Sequence, residues 1–193
     1  MAGKLVLIMG PSGVGKSVIL KELRRRLPAL HFPCSATTRT RRPGEGSELY
    51  RFVNDAEFDA LLQSGAILEH AVVHGGARYG TLKGEIIPFI DQGKTVVREV
   101  DVQGFDSIRN DPLFMGPGAP YTLQTIFILP ESKEQLIRHI QKRAPMSPEE
   151  LERRIASMEK ELEYATHCDA AVRNPEGRLE ETYRAVEQLI LNP

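Results

Sequence analysis

Leu5 to Met9 is an unbroken apolar run behind Lys4, with no polar alternation. A run that short predicts a strand buried on both faces, as in a parallel sheet. Gly10 to Gly15 punctuates it, and a helical pattern follows from Lys16 to Leu27. The order is therefore strand, glycine-rich loop, helix. Comparable apolar runs predict strands at Leu68 to Val73, Thr95 to Val102, Leu123 to Leu129 and Ala170 to Val172, with helical patterns between most of them. Three helix starts are marked by side chains able to reach the free N–H groups of a first turn: Asn54 with Glu57, Ser132 with Gln135, and Ser147 with Pro148 and Glu150. Strands alternating with helices predict an α/β domain built on a parallel sheet.

Two segments break the alternation. Residues 33 to 53 are rich in Thr, Arg, Gly and Pro, and are also basic. Arg109 to Tyr121 holds Pro112, Gly116, Pro117, Gly118 and Pro120 and reads as an exposed loop. Pro88, inside the Lys83 to Gln92 helical pattern, predicts a kink or a late helix start.

Composition narrows the class. The chain has 193 residues, 41% hydrophobic and 26% charged, which fits one substantial globular domain. Its 25 Lys+Arg against 26 Asp+Glu leave a net charge of −1, which argues against wholesale binding of nucleic acid or a membrane surface but permits local basic sites for small anions. Cys34 and Cys168 lack metal-ligand spacing, so both are read as thiols. Met1 to Met9 is too short for the apolar region of a leader peptide, and no run reaches membrane-span length. These features predict a cytoplasmic home.

The chemistry begins at Gly10-Pro11-Ser12-Gly13-Val14-Gly15-Lys16-Ser17, two glycines four residues apart followed by Lys and Ser. Glycines let the backbone wrap an anion, so that successive N–H groups and the helix N-terminus point at phosphate oxygens. Lys16 would add a point charge near the β/γ-phosphates, and Ser17 would offer its hydroxyl to Mg2+. A nucleoside triphosphate is the ligand this pattern predicts. The acceptor is pointed to by Ser35-Ala36-Thr37-Thr38-Arg39-Thr40-Arg41-Arg42-Pro43-Gly44-Glu45, where three arginines within four residues suit a phosphate ester. Taken alone, such a run is a solvated basic turn. Beside a phosphate loop it becomes a candidate site.

With these segments in view the chain resembles the guanylate kinases. The match runs through Thr37 to Glu45, Tyr50 and Phe52, Glu69, Tyr79-Gly80-Thr81, Asp101-Val102-Gln103-Gly104, Arg143, Arg154 and Asn174, in the family's order. The resemblance implies a P-loop three-layer fold with a central parallel sheet. Residues 1–34 and 89–193 would form the core, 35–88 a small mixed GMP-binding region and 138–154 a helical lid. It implies transfer of the γ-phosphoryl group of ATP to GMP or dGMP with Mg2+. Ser35, Arg39, Arg42, Tyr50 and Tyr79 would hold the GMP phosphate, and Glu69 and Thr81 would read the guanine. Lys16, Arg42, Arg143 and Arg154 would neutralise the transferring group. Glu99 and Asp101, two apart on a predicted strand, would share one face near the nucleotide, with Glu99 where aspartate is usual.

Departures from the family pattern are Val18 after the Mg2+-binding Ser17, Arg98 interrupting a normally apolar strand, one extra residue in His74 to Arg78, Ala144-Pro145 after Arg143, and an inserted look to 110–121. Proline at 145 would stiffen the lid turn. Two other readings stand beside the kinase: a catalytically silent interaction module of the same fold, which would typically lack the loop lysine, and a kinase for another phosphate acceptor, against which Glu69 and Thr81 speak.

Overall fold

The computed structural model describes residues 3–72, 76–143 and 147–192. In chain order the elements are β1 (Lys4–Met9), α1 (Lys16–Arg26), β2 (Ser35–Thr37), β3 (Tyr50–Phe52), α2 (Asp55–Gln63), β4 (Ile67–Val72), β5 (Arg78–Leu82) and α3 (Ile87–Asp91). They continue with β6 (Thr95–Glu99), α4 (Val102–Arg109), β7 (Thr122–Pro130), α5 (Lys133–Arg143), α6 (Pro148–Glu163), β8 (Ala170–Asn174) and α7 (Leu179–Leu191). One sheet has the order β6-β1-β7-β8 and the other β3-β2-β5-β4. The first is the central parallel sheet, flanked by helices; the second is mixed.

The apolar run at the start forms β1 with all six residues buried, as a strand covered on both faces should be. In β7, Ile126, Phe127 and Ile128 are wholly inaccessible, and β8 runs parallel beside it with Ile128 opposite Val172. The three caps form as the sequence predicts. Asn54 and Glu57 make a reciprocal capping box, Ser132 Oγ accepts from the Gln135 N–H, and Ser147 accepts from the Glu150 N–H.

The structure departs from the sequence reading at several places. Residues 33–53 are not wholly irregular, because β2 and β3 lie within them; three-residue strands are too short to show a period. β5 also escapes the apolar pattern, being Arg-Tyr-Gly-Thr-Leu. β6 ends at Glu99 and α4 starts at Val102, so Asp101 is not on the strand and does not share a strand face with Glu99. Around Pro88 the chain takes the late start: a 3-10 turn at Lys83–Glu85 precedes α3, with the proline in its first turn, where its missing N–H costs nothing. The segment after Arg109 is an anchored loop rather than a freely exposed one. Phe114 is buried and packs near Tyr121, while Asp111 pairs with Lys83 at 3.4 Å. The lengthening at His74 and the Ala144-Pro145 turn lie outside the described residues.

Contacts divide the chain into two units, one of Met1–Leu5, Ala29–Arg98 and Gln103–Leu123, the other of Val6–Pro28, Glu99–Val102 and Gln124–Pro193. In the first, α2 covers one face of the mixed sheet, with Phe58 against Ala36 and Leu82 and a surround of Val53, Leu61, Leu62 and Ile67. Fully burying such side chains stabilises by about 1.5–3 kcal/mol each. In the second, α1 and α7 are joined by charge. Arg26 donates to Glu22 and to Glu180 at 2.5 Å each, and its guanidinium lies over the Tyr183 ring.

Hydrogen bonds from Arg25 and then Arg26 hold the Glu22 carboxyl down to about 2, and one from Arg26 does the same to Glu180. Since the unfolded carboxylate titrates near ~4.3, their contribution is complete above that pH and is lost as pH falls towards about 2. Arg26→Ala should therefore lower the melting temperature at pH 6, and the gap from the parent protein should narrow in melts taken at successively lower pH between those limits.

Candidate active site

The second face of the mixed sheet carries the candidate acceptor site. Side chains alternate across a strand, so Ala36 and Leu82 turn to α2 while Ser35, Thr37, Tyr50, Phe52, Glu69, Tyr79 and Thr81 share the other face. Register then makes them neighbours: Ser35 lies opposite both Tyr50 and Thr81, Thr37 opposite Phe52 and Tyr79, and Glu69 opposite Thr81. A one-residue slip would exchange this polar set for the apolar one.

Arg39 stands over that face. Its Nε donates to the Tyr79 hydroxyl at 3.0 Å and its Nη2 to Glu45 Oε1 at 2.7 Å. Its guanidinium lies 5.4 Å from the ring centroids of both Tyr50 and Phe52. The hydrogen bond from Arg39 holds the Glu45 carboxyl below its ordinary value, assisted by the Arg42 N–H, and Glu45 in turn raises Arg39. Arg42 itself is exposed and meets Glu45 through its backbone, so it is not gathered into the cluster that holds Arg39, Tyr50 and Tyr79. Glu69 is nearly buried, with 9% of its side chain exposed; Thr81 Oγ1 donates to its Oε1 and Arg98 Nη2 lies 3.7 Å from the same oxygen.

The second unit carries the loop from Gly10 to Ser17 between β1 and α1. Gly10 and Gly15 have φ of 146° and 100°, and a Cβ on Gly10 would lie 2.5 Å from the Ile128 carbonyl oxygen, one on Gly15 2.8 Å from Asn174 Nδ2. Only glycine fits either place. Asn174 donates to the Val14 carbonyl at 2.8 Å and accepts from Thr182 at 2.9 Å, while a His139 ring nitrogen meets the Gly13 carbonyl at 3.0 Å. Lys16 Nζ donates to the carbonyls of Gly10 and Pro11 at 2.6 and 3.2 Å and lies 3.8 Å from Glu99. Burial lowers the Lys16 ammonium below its usual value, opposed by the charges of Glu99, Glu161 and Asp101. Glu161, on α6, accepts from the Ser12 N–H at 3.2 Å, so a carboxylate takes one of the loop's anion-binding donors.

Ser17 is exposed at the start of α1, and Asp101 is exposed between β6 and α4. Arg154 pairs along its own helix with Glu150, at 2.7 Å. The side chain of Arg143 lies outside the description. Two residues absent from the sequence-derived site join it here. Glu161 left no local signal, being 149 residues from its partner in the chain. Arg98 did leave one, as a charge directly after the apolar pair Val96 and Val97.

A buried strand, a glycine loop closing on the start of a helix, and a lysine folded back over that loop define a P-loop nucleotide-binding protein. The guanylate kinase family model matches residues 2–192. The chain is 38% identical to the guanylate kinase of Nocardia farcinica over 97% of this chain and 92% of that one, and 38% identical to that of Thermosynechococcus vestitus over 99% and 95%. The crystal structure of guanylate kinase from Anaplasma phagocytophilum superposes with a TM-score of 0.69 at 25% identity, covering 98% of this chain and 85% of that one. The chain belongs to the guanylate kinase family.

Asn174→Ala removes both of the bonds that tie the phosphate loop to α7 and should weaken binding of an ATP analogue by roughly fivefold, the effect of one net hydrogen bond. Titration calorimetry measures it. Unchanged affinity would mean the loop holds its shape without this strut.

Proposed function

We propose that this chain transfers the γ-phosphoryl group of ATP to GMP or dGMP, giving ADP and GDP or dGDP. The observation that carries this reading is Glu69, a nearly buried carboxylate held by Thr81 on the same sheet face as Tyr50 and Tyr79, with Arg39 above. Guanine offers N1–H and an exocyclic amine side by side, a donor pair that one carboxylate accepts and that adenine lacks. Tyr50, Tyr79, Ser35 and Arg39 then suit the monophosphate, the hydroxyls as donors and the guanidinium as a charged fork. Arg42, whose side chain is exposed, would reach the same phosphate.

The loop from Gly10 to Gly15, through Pro11, Ser12, Gly13 and Val14, would cradle the ATP phosphates with its N–H groups. Lys16 would leave the Gly10 and Pro11 carbonyls for phosphate oxygens, and the Glu161 carboxylate would yield the Ser12 N–H to the nucleotide. An oxygen of the GMP phosphate attacks the γ-phosphorus in line, its bond to the ADP oxygen breaks, and the negative charge passes to ADP. Lys16, Arg42, Arg143 and Arg154 would neutralise charge on the transferring group, with residues 35–88 as the GMP-binding region and 138–154 as the lid. Arg154 must exchange Glu150 for phosphate to do so.

Mg2+ fits the residues present. No cluster of three or more His, Cys, Asp or Glu side chains able to hold a metal occurs among the described residues. Hard oxygen donors do: the exposed Ser17 hydroxyl, and the carboxylates of Glu99 and Asp101, whose charges act on the adjacent Lys16 and which would reach the ion through water, as suits an ion that keeps its waters and leans on substrate phosphates. When bound it would shield the β- and γ-phosphate charge. We place the reaction in the cytoplasm, where Cys34 and Cys168 stay reduced; among the described residues no helix is long and apolar enough to cross a membrane.

ADP release measured with GMP, dGMP, AMP, CMP and UMP should show turnover with the guanine nucleotides alone, and Lys16→Ala should lower it by more than a hundredfold. Absence of GMP-stimulated turnover overturns the reading. In the same screen Glu69→Ala should sharply reduce the guanine preference; if the preference is undiminished, the account of base recognition is wrong even where the activity is right.

A further inference from the structure

Arg98 occupies a place the strand pattern reserves for an apolar side chain. Its neighbours on β6, Val96 and Val97, are buried. Its guanidinium is largely enclosed, with 17% of the side chain exposed. Nη1 donates to the Ser35 hydroxyl at 2.7 Å, across 63 residues of chain, and Nη2 lies 3.7 Å from Glu69 Oε1. Enclosing a cation is costly unless it meets a complementary charge, and Glu69 supplies one. Both contacts fall on residues of the candidate acceptor site.

A guanidinium beside a carboxylate makes a donor next to an acceptor. Guanine presents the complement on adjacent atoms: the N1–H donor and the O6 acceptor. Adenine presents the reverse, an N1 acceptor beside the N6 amine. Ser35 reinforces the pattern, because a hydroxyl that accepts from Arg98 directs its own proton elsewhere.

We propose that Arg98 is a specificity-determining residue, lodged beside Glu69 so that its guanidinium edge meets the 6-position of the acceptor base while the carboxylate takes N1–H. This rests on the reading of Glu69 as the guanine-binding acid. The pair then both attracts guanine through O6 and repels adenine by setting donor against donor. A lone carboxylate reads only half of that code.

Steady-state kinetics with saturating ATP, comparing GMP with its 6-thio analogue, separates the two residues. The analogue keeps N1–H and the amine but replaces O6 with a poor acceptor. Arg98→Leu restores the apolar residue the strand pattern calls for, so folding is preserved, and melting curves check this. Its KM for GMP should rise on the order of tenfold or more, as loss of a charge-assisted hydrogen bond implies, with kcat and the KM for ATP little changed. The ratio of the KM values for the 6-thio analogue and GMP should fall towards one. Arg98→Lys should recover part of both losses. An unchanged KM for GMP, or a raised one with the same discrimination between the two acceptors, overturns the proposal, the second result marking Arg98 as structural only. Glu69→Ala reports on the underlying reading. If it diminishes guanine preference while Arg98→Leu leaves the 6-position ratio intact, Arg98 alone falls; if guanine preference is undiminished in Glu69→Ala, the base-reading site and this inference fall together.

Discussion

Close backbone approach at the phosphate loop governs the triphosphate end of this protein. Gly10 presses against the Ile128 carbonyl and Gly15 against Asn174, each with positive φ, so a side chain at either would force apart the elements that shape the loop. The buried strand β1 delivers the chain to that point, and α1 leaves it. Asn174, His139 and Lys16 meet the carbonyls of Val14, Gly13 and Gly10 from within the fold. Ser12 already spends its N–H on Glu161. A loop shaped for anions has found one within its own chain.

The mixed sheet solves a different problem with equally simple geometry. Short strands of alternating character place a small apolar core against α2 and a polar face on the other side. Phe58 and the residues around it hold the sheet in register. That register is what makes seven side chains from four strands into one surface. The place of Glu69 on the polar face therefore depends on packing at Ala36 and Leu82 on the other.

The elements that could be read from the chain are those whose signals are local. β1 shows as an apolar run, the caps at Asn54, Ser132 and Ser147 show as residue pairs three apart, and the phosphate loop shows as glycine spacing. β2, β3 and β5 hide because each spends half its few residues on a polar site face, leaving too little hydrophobic periodicity to register. The end of β6 was overrun for the opposite reason: Val100 and Val102 continue the apolar pattern past Glu99, where the strand ends. Phe114 anchored a loop that its prolines and glycines had marked as exposed.

Sequence alone determined the chemistry on offer: a phosphate loop with its lysine and serine and, further along the chain, a basic segment, while the resemblance to the guanylate kinases implied the acids and tyrosines of an acceptor site. The loop and the basic segment were legible because their signals depend on neighbours within a few residues. Tertiary structure decided the roles. It drew Arg39 over Tyr50 and Phe52 and left Arg42 exposed, put Arg98 beside Glu69, and sent Glu161 to the loop. Those choices turn on strand register and helix packing between residues tens of positions apart, where composition is silent and only the meeting of two faces determines which charges are paired and buried.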